Sequence, residues 1–225
     1  MTSMPSPPAI RPGTEMRYKH AMILINGKSP AQILRERIEF EGTLPSGALK
    51  LQMFLNHQVD CALLATCGQH LAYRFTHATQ EFTKILAPRS GVVVAQACAV
   101  HMHLPMVIAV TKPPMTSSPN AVLYKHTRPQ GGVYTEETDL YVSSEVISPT
   151  DSVLILDDVL ASGKTAAACA DLVKQSGAKV KGCGFLIEKM YDGGHALLPE
   201  DALVVSVVRV KNVSDGRIEF CDDSS

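Results

Sequence analysis

The chain has 225 residues, 45% of them hydrophobic and 19% charged, enough apolar material for one sizeable buried core. Its formal net charge is −1 and no run of Lys or Arg forms a basic stripe, so neither nucleic acid nor a membrane is an expected partner. The most apolar stretch, 91–111, contains Gln96, His101, His103 and Pro105, which a lipid-facing span would bury without partners.

The first thirty residues carry Pro5, Pro7, Pro8, Pro12 and Pro30 with little apolar periodicity, and a flexible extension is expected there. Arg11, Arg17 and Lys19 leave organelle targeting open, although Glu15 and the prolines count against it. Ser29 and Pro30 suit the cap and first position of a helix reaching about Arg37, followed by a turn at Pro45-Ser46-Gly47. From Val59 to about Thr79, Leu63, Leu64, Cys67, Leu71, Ala72 and Phe75 recur at helical spacing, predicting a second helix.

A β-α-β unit follows: strand Lys84 to Ala87, helix Gly91 to His101, strand Met106 to Val110. Residues 112–141 form a polar stretch with Pro and Gly, long enough to suggest a functional loop. Then come strand 153–156, a helix from Thr165 to Gln175 closed by Gly177, strand Val180 to Ile187, and an apolar run Ala202 to Val208. Alternating strands and helices predict an α/β fold with a mainly parallel sheet and ligands above the strand carboxyl ends.

The six cysteines, Cys61, Cys67, Cys98, Cys169, Cys183 and Cys221, form no C-x-x-C pair, and no secretory signal is recognisable. They read as core thiols of a reducing, cytoplasmic compartment. His101 and His103 have no third ligand nearby and are not read as a metal site.

Residues 153–165, Val-Leu-Ile-Leu-Asp-Asp-Val-Leu-Ala-Ser-Gly-Lys-Thr, set an apolar strand, two adjacent carboxylates and a small-residue loop before a helix. Backbone N–H groups of Ala161, Ser162, Gly163, Lys164 and Thr165, with two hydroxyls, can face a phosphate there, backed by the positive helix end. Asp157 and Asp158, at the carboxyl end of the strand, are placed to accept hydrogen bonds from sugar hydroxyls. The order of parts points to a ribose carrying a 5-phosphate.

Two other readings compete. Gly163-Lys164-Thr165 supplies the end of a Walker A loop, but its first glycine would fall at Asp158, whose carboxylate would repel a triphosphate. An ordinary helix cap accounts for Ser162 or Thr165 and leaves the carboxylates unexplained. Upstream, Pro88-Arg89-Ser90-Gly91 either makes a simple strand-to-helix turn or binds an anion through backbone N–H groups and the Arg89 guanidinium. Lys112, at the end of the next strand, can neutralise the same anion.

The thirteen-residue segment resembles the phosphoribosyl-diphosphate (PRPP) binding motif of the type I phosphoribosyltransferases. Phe54-Leu55-Asn56-His57-Gln58 resembles an element of the bacterial xanthine phosphoribosyltransferases, and Ile187-Glu188-Lys189 resembles the segment after their next strand. The likeness runs from about Ile38 to Cys221. It implies the type I phosphoribosyltransferase fold: a mainly parallel central sheet flanked by helices, with a small base-binding hood from the N-terminal helices and the C-terminal segment. One domain, 31–225, would follow the flexible extension 1–30.

The resemblance carries 5-phosphate binding onto residues 161–165, pyrophosphate binding onto Arg89, Ser90, Gly91 and Lys112, and base binding onto Leu49, Asn56 and Lys189. Asn56 offers a donor and an acceptor to a purine edge, and Lys189 a charge to an exocyclic oxygen. Read plainly, Asn56-His57 caps the helix after Val59 and Lys189 is a surface residue. The bacterial xanthine enzymes read Ala-Asn-Gly-Gln-Ala in the phosphate loop, whereas Ala-Ser-Gly-Lys-Thr is closer to adenine and orotate enzymes. That loop touches phosphate rather than base, so xanthine is the expected substrate and adenine the alternative.

The implied reaction joins N9 of a free purine to C1 of PRPP, giving a nucleotide and pyrophosphate in purine salvage. Magnesium would be held mainly through PRPP and water, with Asp157 or Asp158 as its protein ligand, and both carboxylates would orient the ribose. The resemblance also implies a homodimer and makes 113–140 a candidate lid. A PRPP-binding regulatory protein is the alternative of another class, though the N-terminal extension lacks the basic helix pattern of a winged helix.

Overall fold

The computed structural model describes residues 27–44, 46–113, 122–126 and 139–221. The extension up to residue 26 lies outside the described residues, as do 114–121 and 127–138 of the candidate lid.

Helix α1 (Pro30–Glu41) begins in a capping box: the Ser29 hydroxyl accepts from the Gln32 amide, and the Gln32 side chain accepts from the Ser29 amide. It runs a turn past Arg37. A π-helical turn (Gln52–Asn56), absent from the expectation, precedes α2 (Cys61–Thr76). The cap of α2 is Asp60, whose carboxylate accepts from the Leu63 amide, so the plainer reading of Asn56-His57 as a cap does not hold.

The β-α-β unit is as expected, with β1 (Lys84–Pro88) and β2 (Met106–Ala109) parallel and joined by α3 (Val92–Met102). An unexpected antiparallel pair follows, β3 (Leu123–His126) and β4 (Leu140–Ser143). Strand β5 (Ser152–Leu160) extends four residues beyond the apolar run, so Asp157 and Asp158 lie inside it rather than past its end. Helix α4 (Lys164–Gln175) and strand β6 (Lys179–Lys189) match expectation. Strand β7 (Leu203–Ser214) continues beyond Val208 because β8 (Arg217–Phe220) folds back on it through Asp215-Gly216, both at positive φ (51° and 73°).

The sheet order is β2-β1-β5-β6-β7-β8, parallel except for β8. One apolar cluster joins α1, α2 and α3 to one face of the sheet; the other packs α4 with β3 and β4 on the opposite face. The chain leaves β1 through α3 toward β2 and leaves β5 through α4 toward β6, in opposite directions. The carboxyl ends of β1 and β5 therefore flank a topological switch point, where open α/β sheets form their ligand crevice.

Candidate active site

The β1–β5 ladder ends at Leu86↔Ile155, whereas β5 stays paired with β6 as far as Leu160↔Glu188. The edge of β5 from Asp157 onward is thus open toward β1, and the loop after β1 folds into the gap. Ser90 Oγ donates a 2.7 Å hydrogen bond to Asp157 Oδ1 across it. Gly91 explains the close approach: a Cβ there would overlap the Leu156 carbonyl and the Asp157 Cα.

Asp157 is only 3% exposed, while its neighbour Asp158 is half-buried. Besides Ser90, the Asp158 amide donates to Asp157 Oδ1 at 2.8 Å. Burial pushes the Asp157 carboxyl well above its ordinary range, the Asp158 charge pushes it further, and the Ser90 hydroxyl partly offsets both. The Asp158 side chain lies close enough to act on Asp157 both through its charge and as a hydrogen-bonding group. Asp157 lines a recess of about 60 Å³ with loop 161–165.

That loop leads into α4 through Gly163, at φ 75°. No side chain caps α4, and none caps α3, whose cap residue is Gly91; α1 and α2 are capped by Ser29 and Asp60. Among the described residues, the α-helices whose first N–H groups lack a side-chain cap are α3 and α4, and both begin beside the switch point. Among the described residues Arg89, Lys112 and Lys164 form no ion pair, and all three are exposed. Anionic ligands on either side of a sugar-sized polar group suit this arrangement.

The phosphoribosyl transferase domain family matches residues 62–223 of the chain. This chain belongs to the type I phosphoribosyltransferases. This phosphoribosyltransferase, a pentosyl-transferring enzyme, is 35% identical over 195 residues to the xanthine phosphoribosyltransferase of Geobacillus thermodenitrificans, covering 84% of this chain and 97% of that one. It is 36% identical over 194 residues to the xanthine phosphoribosyltransferase of Heliobacterium modesticaldum, covering 84% and 99%. The solved adenine phosphoribosyltransferase of Trypanosoma brucei, in complex with AMP, pyrophosphate and ribose-5-phosphate, shares its fold with a TM-score of 0.63 at 19% identity over 81% of each chain. That of Rhodothermus marinus gives 0.61 at 26% identity, over 80% of this chain and all but 1% of that one (99%).

The residues expected to meet a base, Leu49, Asn56 and Lys189, sit apart from this crevice edge, on the α1–α3 face and the end of β6. Leu49 is buried in the same apolar cluster as Ile187 and Val210, which precede and pair with the Lys189 region. Asn56 is exposed at the end of the π-helical turn, and Lys189 is half-buried as the last residue of β6. Among the described residues neither side chain has a protein hydrogen-bond partner, and the two do not bond each other.

Sequence reasoning missed the group beside Lys189. Glu188 is 3% exposed, with its carboxylate between His195 and Ser206. The one available signal was an acidic residue at the end of an apolar strand. It also missed that Gly163 packs against protein: a Cβ there would strike the Gly194 carbonyl.

Proposed function

We propose that this enzyme transfers 5-phosphoribosyl from PRPP to N9 of a free purine, xanthine in preference to adenine, releasing pyrophosphate in purine salvage. The observation that carries this reading is the pair of helix N-termini without side-chain caps, α3 and α4, beginning on either side of the buried Asp157. PRPP carries phosphate at one end of a ribose and pyrophosphate at the other, and matches that order of groups.

Loop Ala161 to Thr165 takes the 5-phosphate; Arg89, Ser90, Gly91 and Lys112 take the pyrophosphate. As the bond between C1 and pyrophosphate breaks, positive charge builds on the ribose and negative charge on the leaving group. Catalysis is then mainly orientation and electrostatic stabilisation. Arg89 and Lys112 face the departing anion, and Asp157 and Asp158 orient the ribose hydroxyls rather than attack. Leu49, Asn56 and Lys189 hold the base, with the Lys189 ammonium directed to an exocyclic oxygen.

Among the described residues no three His, Cys, Asp or Glu side chains come together as a metal cage. A magnesium ion would be held mainly by PRPP oxygens and water, with Asp158 or Asp157 as a hard-oxygen ligand, a donor set that suits it. When bound it neutralises charge on the pyrophosphate. Adenine is the second reading, favoured by the Ala-Ser-Gly-Lys-Thr sequence of the phosphate loop.

The homodimer would cover the outer side of α3, where Val93 and Val100 are exposed, and Ile108 on the edge strand β2. Among the described residues no helix is long and apolar enough to cross a membrane. The reading is tested by mixing the protein with PRPP, magnesium and single purines and measuring nucleotide and pyrophosphate together. Stoichiometric release of both with xanthine is expected; PRPP binding without nucleotide from any purine would favour a regulatory protein.

A further inference from the structure

The reaction makes no direct use of Glu188, a carboxylate at the end of β6 with 3% exposure. A buried carboxylate is costly unless its oxygens find partners, and here each has one. Oε1 lies 2.9 Å from His195 Nδ1, and Oε2 accepts a 2.7 Å hydrogen bond from Ser206 Oγ on β7. The hydroxyl donates to the carboxylate and not to the imidazole, so the trio is no activated nucleophile. What it holds is the turn that contains His195, a short 3₁₀ segment, Gly194–Leu197.

Gly194 packs backbone to backbone against the phosphate loop. A Cβ at Gly194 would overlap the Ala161 carbonyl and the Gly163 amide, and a Cβ at Gly163 would overlap the Gly194 carbonyl. Gly163 is the left-handed residue that turns loop 161–165 into α4 and aims its N–H groups. The conformation of the loop is therefore braced from outside, through Gly194, by whatever fixes the 193–197 turn.

We propose that Glu188 and His195 are positioning residues for the phosphate loop: their bond fixes the turn, and Gly194 in turn holds Gly163 in its left-handed state. This rests on reading loop 161–165 as the 5-phosphate site. The same pair ties that loop to the strand end that carries Lys189. The His195 side chain is 58% exposed, so it contributes little packing, and its loss acts through the turn it fixes and the Glu188 oxygen it leaves unpaired.

The test compares His195→Ala and His195→Asn with wild type by calorimetric titration of PRPP in magnesium, thermal melting, and steady-state KM for PRPP and for xanthine. His195→Ala is expected to weaken PRPP binding roughly tenfold, about 1.4 kcal/mol, with a melt that stays cooperative but shifts down as Glu188 Oε1 loses its partner, and with the KM for xanthine nearly unchanged. The amide nitrogen of Asn can take the place of Nδ1, so His195→Asn is expected to restore most of the affinity. Unchanged PRPP affinity in His195→Ala overturns the proposal, as do equal losses in both variants, a change confined to xanthine, or the loss of a cooperative melt. A wild-type protein that fails to bind PRPP overturns the reading of the loop itself, a result separate from wild type and His195→Ala binding equally well.

Discussion

Ser90 Oγ and Asp157 Oδ1 are joined by a 2.7 Å hydrogen bond that closes the gap between the loop after β1 and the open edge of β5. The oxygen that receives it also accepts the Asp158 amide, so the buried carboxylate is held by two donors, one from the loop after β1 and one from β5 itself.

Replacing Asp157 by Asn keeps both bonds, because the amide oxygen accepts from the same donors, and removes a buried charge. The folded carboxyl holds its proton above the ordinary value of 3.8, so its cost to folding is nil below that pH and grows as pH rises through the raised pKa. In metal-free buffer the variant should melt with wild type near pH 4 and above it at neutral pH, by about 2–4 °C for each kcal/mol relieved. Turnover should fall by about a hundredfold or more, the scale of losing a positioned polar group. A melting gap that narrows with rising pH would contradict the burial of this charge.

Asp151 makes the opposite case at the other end of the sheet. Its carboxylate accepts from the Ser148 amide at 2.8 Å and the Thr83 hydroxyl at 2.8 Å, and pairs with Lys84 at 2.9 Å. Burial alone would raise its pKa, but the Ser148 amide, then Lys84, Thr83 and the Ser148 hydroxyl, bring it down to about 2. The stability it supplies, on the order of 2 kcal/mol, is present above the ordinary 3.8 and lost as pH falls through about 2. Asp151→Asn should therefore unfold at lower denaturant than wild type at pH 7, with the two curves converging toward pH 2.

Gly163 and Gly193 both have left-handed backbones, φ 75° and 68°, yet they predict different results. Gly163→Ala adds a Cβ against the Gly194 backbone, so it should lose both stability and PRPP affinity. At Gly193 nothing lies within 4 Å of an added Cβ, leaving only the conformational cost of about 1 kcal/mol. PRPP titration of the two alanine variants separates them; equal affinity would remove Gly163 from the loop's architecture.

The sequence made local order legible and missed what depends on distant partners. The β-α-β unit and the Gly163–α4 junction follow from strand and helix patterns complete within about twenty residues, and both appear as expected. Strands β3 and β4 span four residues each inside a polar stretch, and their burial comes from packing Leu140 and Val142 with Leu172 and Val173 of α4. Arg217-Ile218-Glu219-Phe220 becomes a strand only because β7 runs long enough to pair with it. The unequal burial of Asp157 and Asp158 was hidden for the same reason, since it arises from the gap left by β1. The bonding of Glu188 was hidden likewise, because its partners lie 7 and 18 residues away.

The most direct test of xanthine as the favoured base is the ratio of kcat/KM for xanthine to that for adenine, measured in wild type and in Lys189→Ala. Xanthine presents oxygens at C2 and C6, whereas adenine has an amino group at C6 and no oxygen, which would leave a lysine at the base without a partner. A wild-type ratio well above one is expected, collapsing in Lys189→Ala mainly through loss of xanthine activity. A ratio below one that Lys189→Ala leaves unchanged would contradict this and assign the site to adenine.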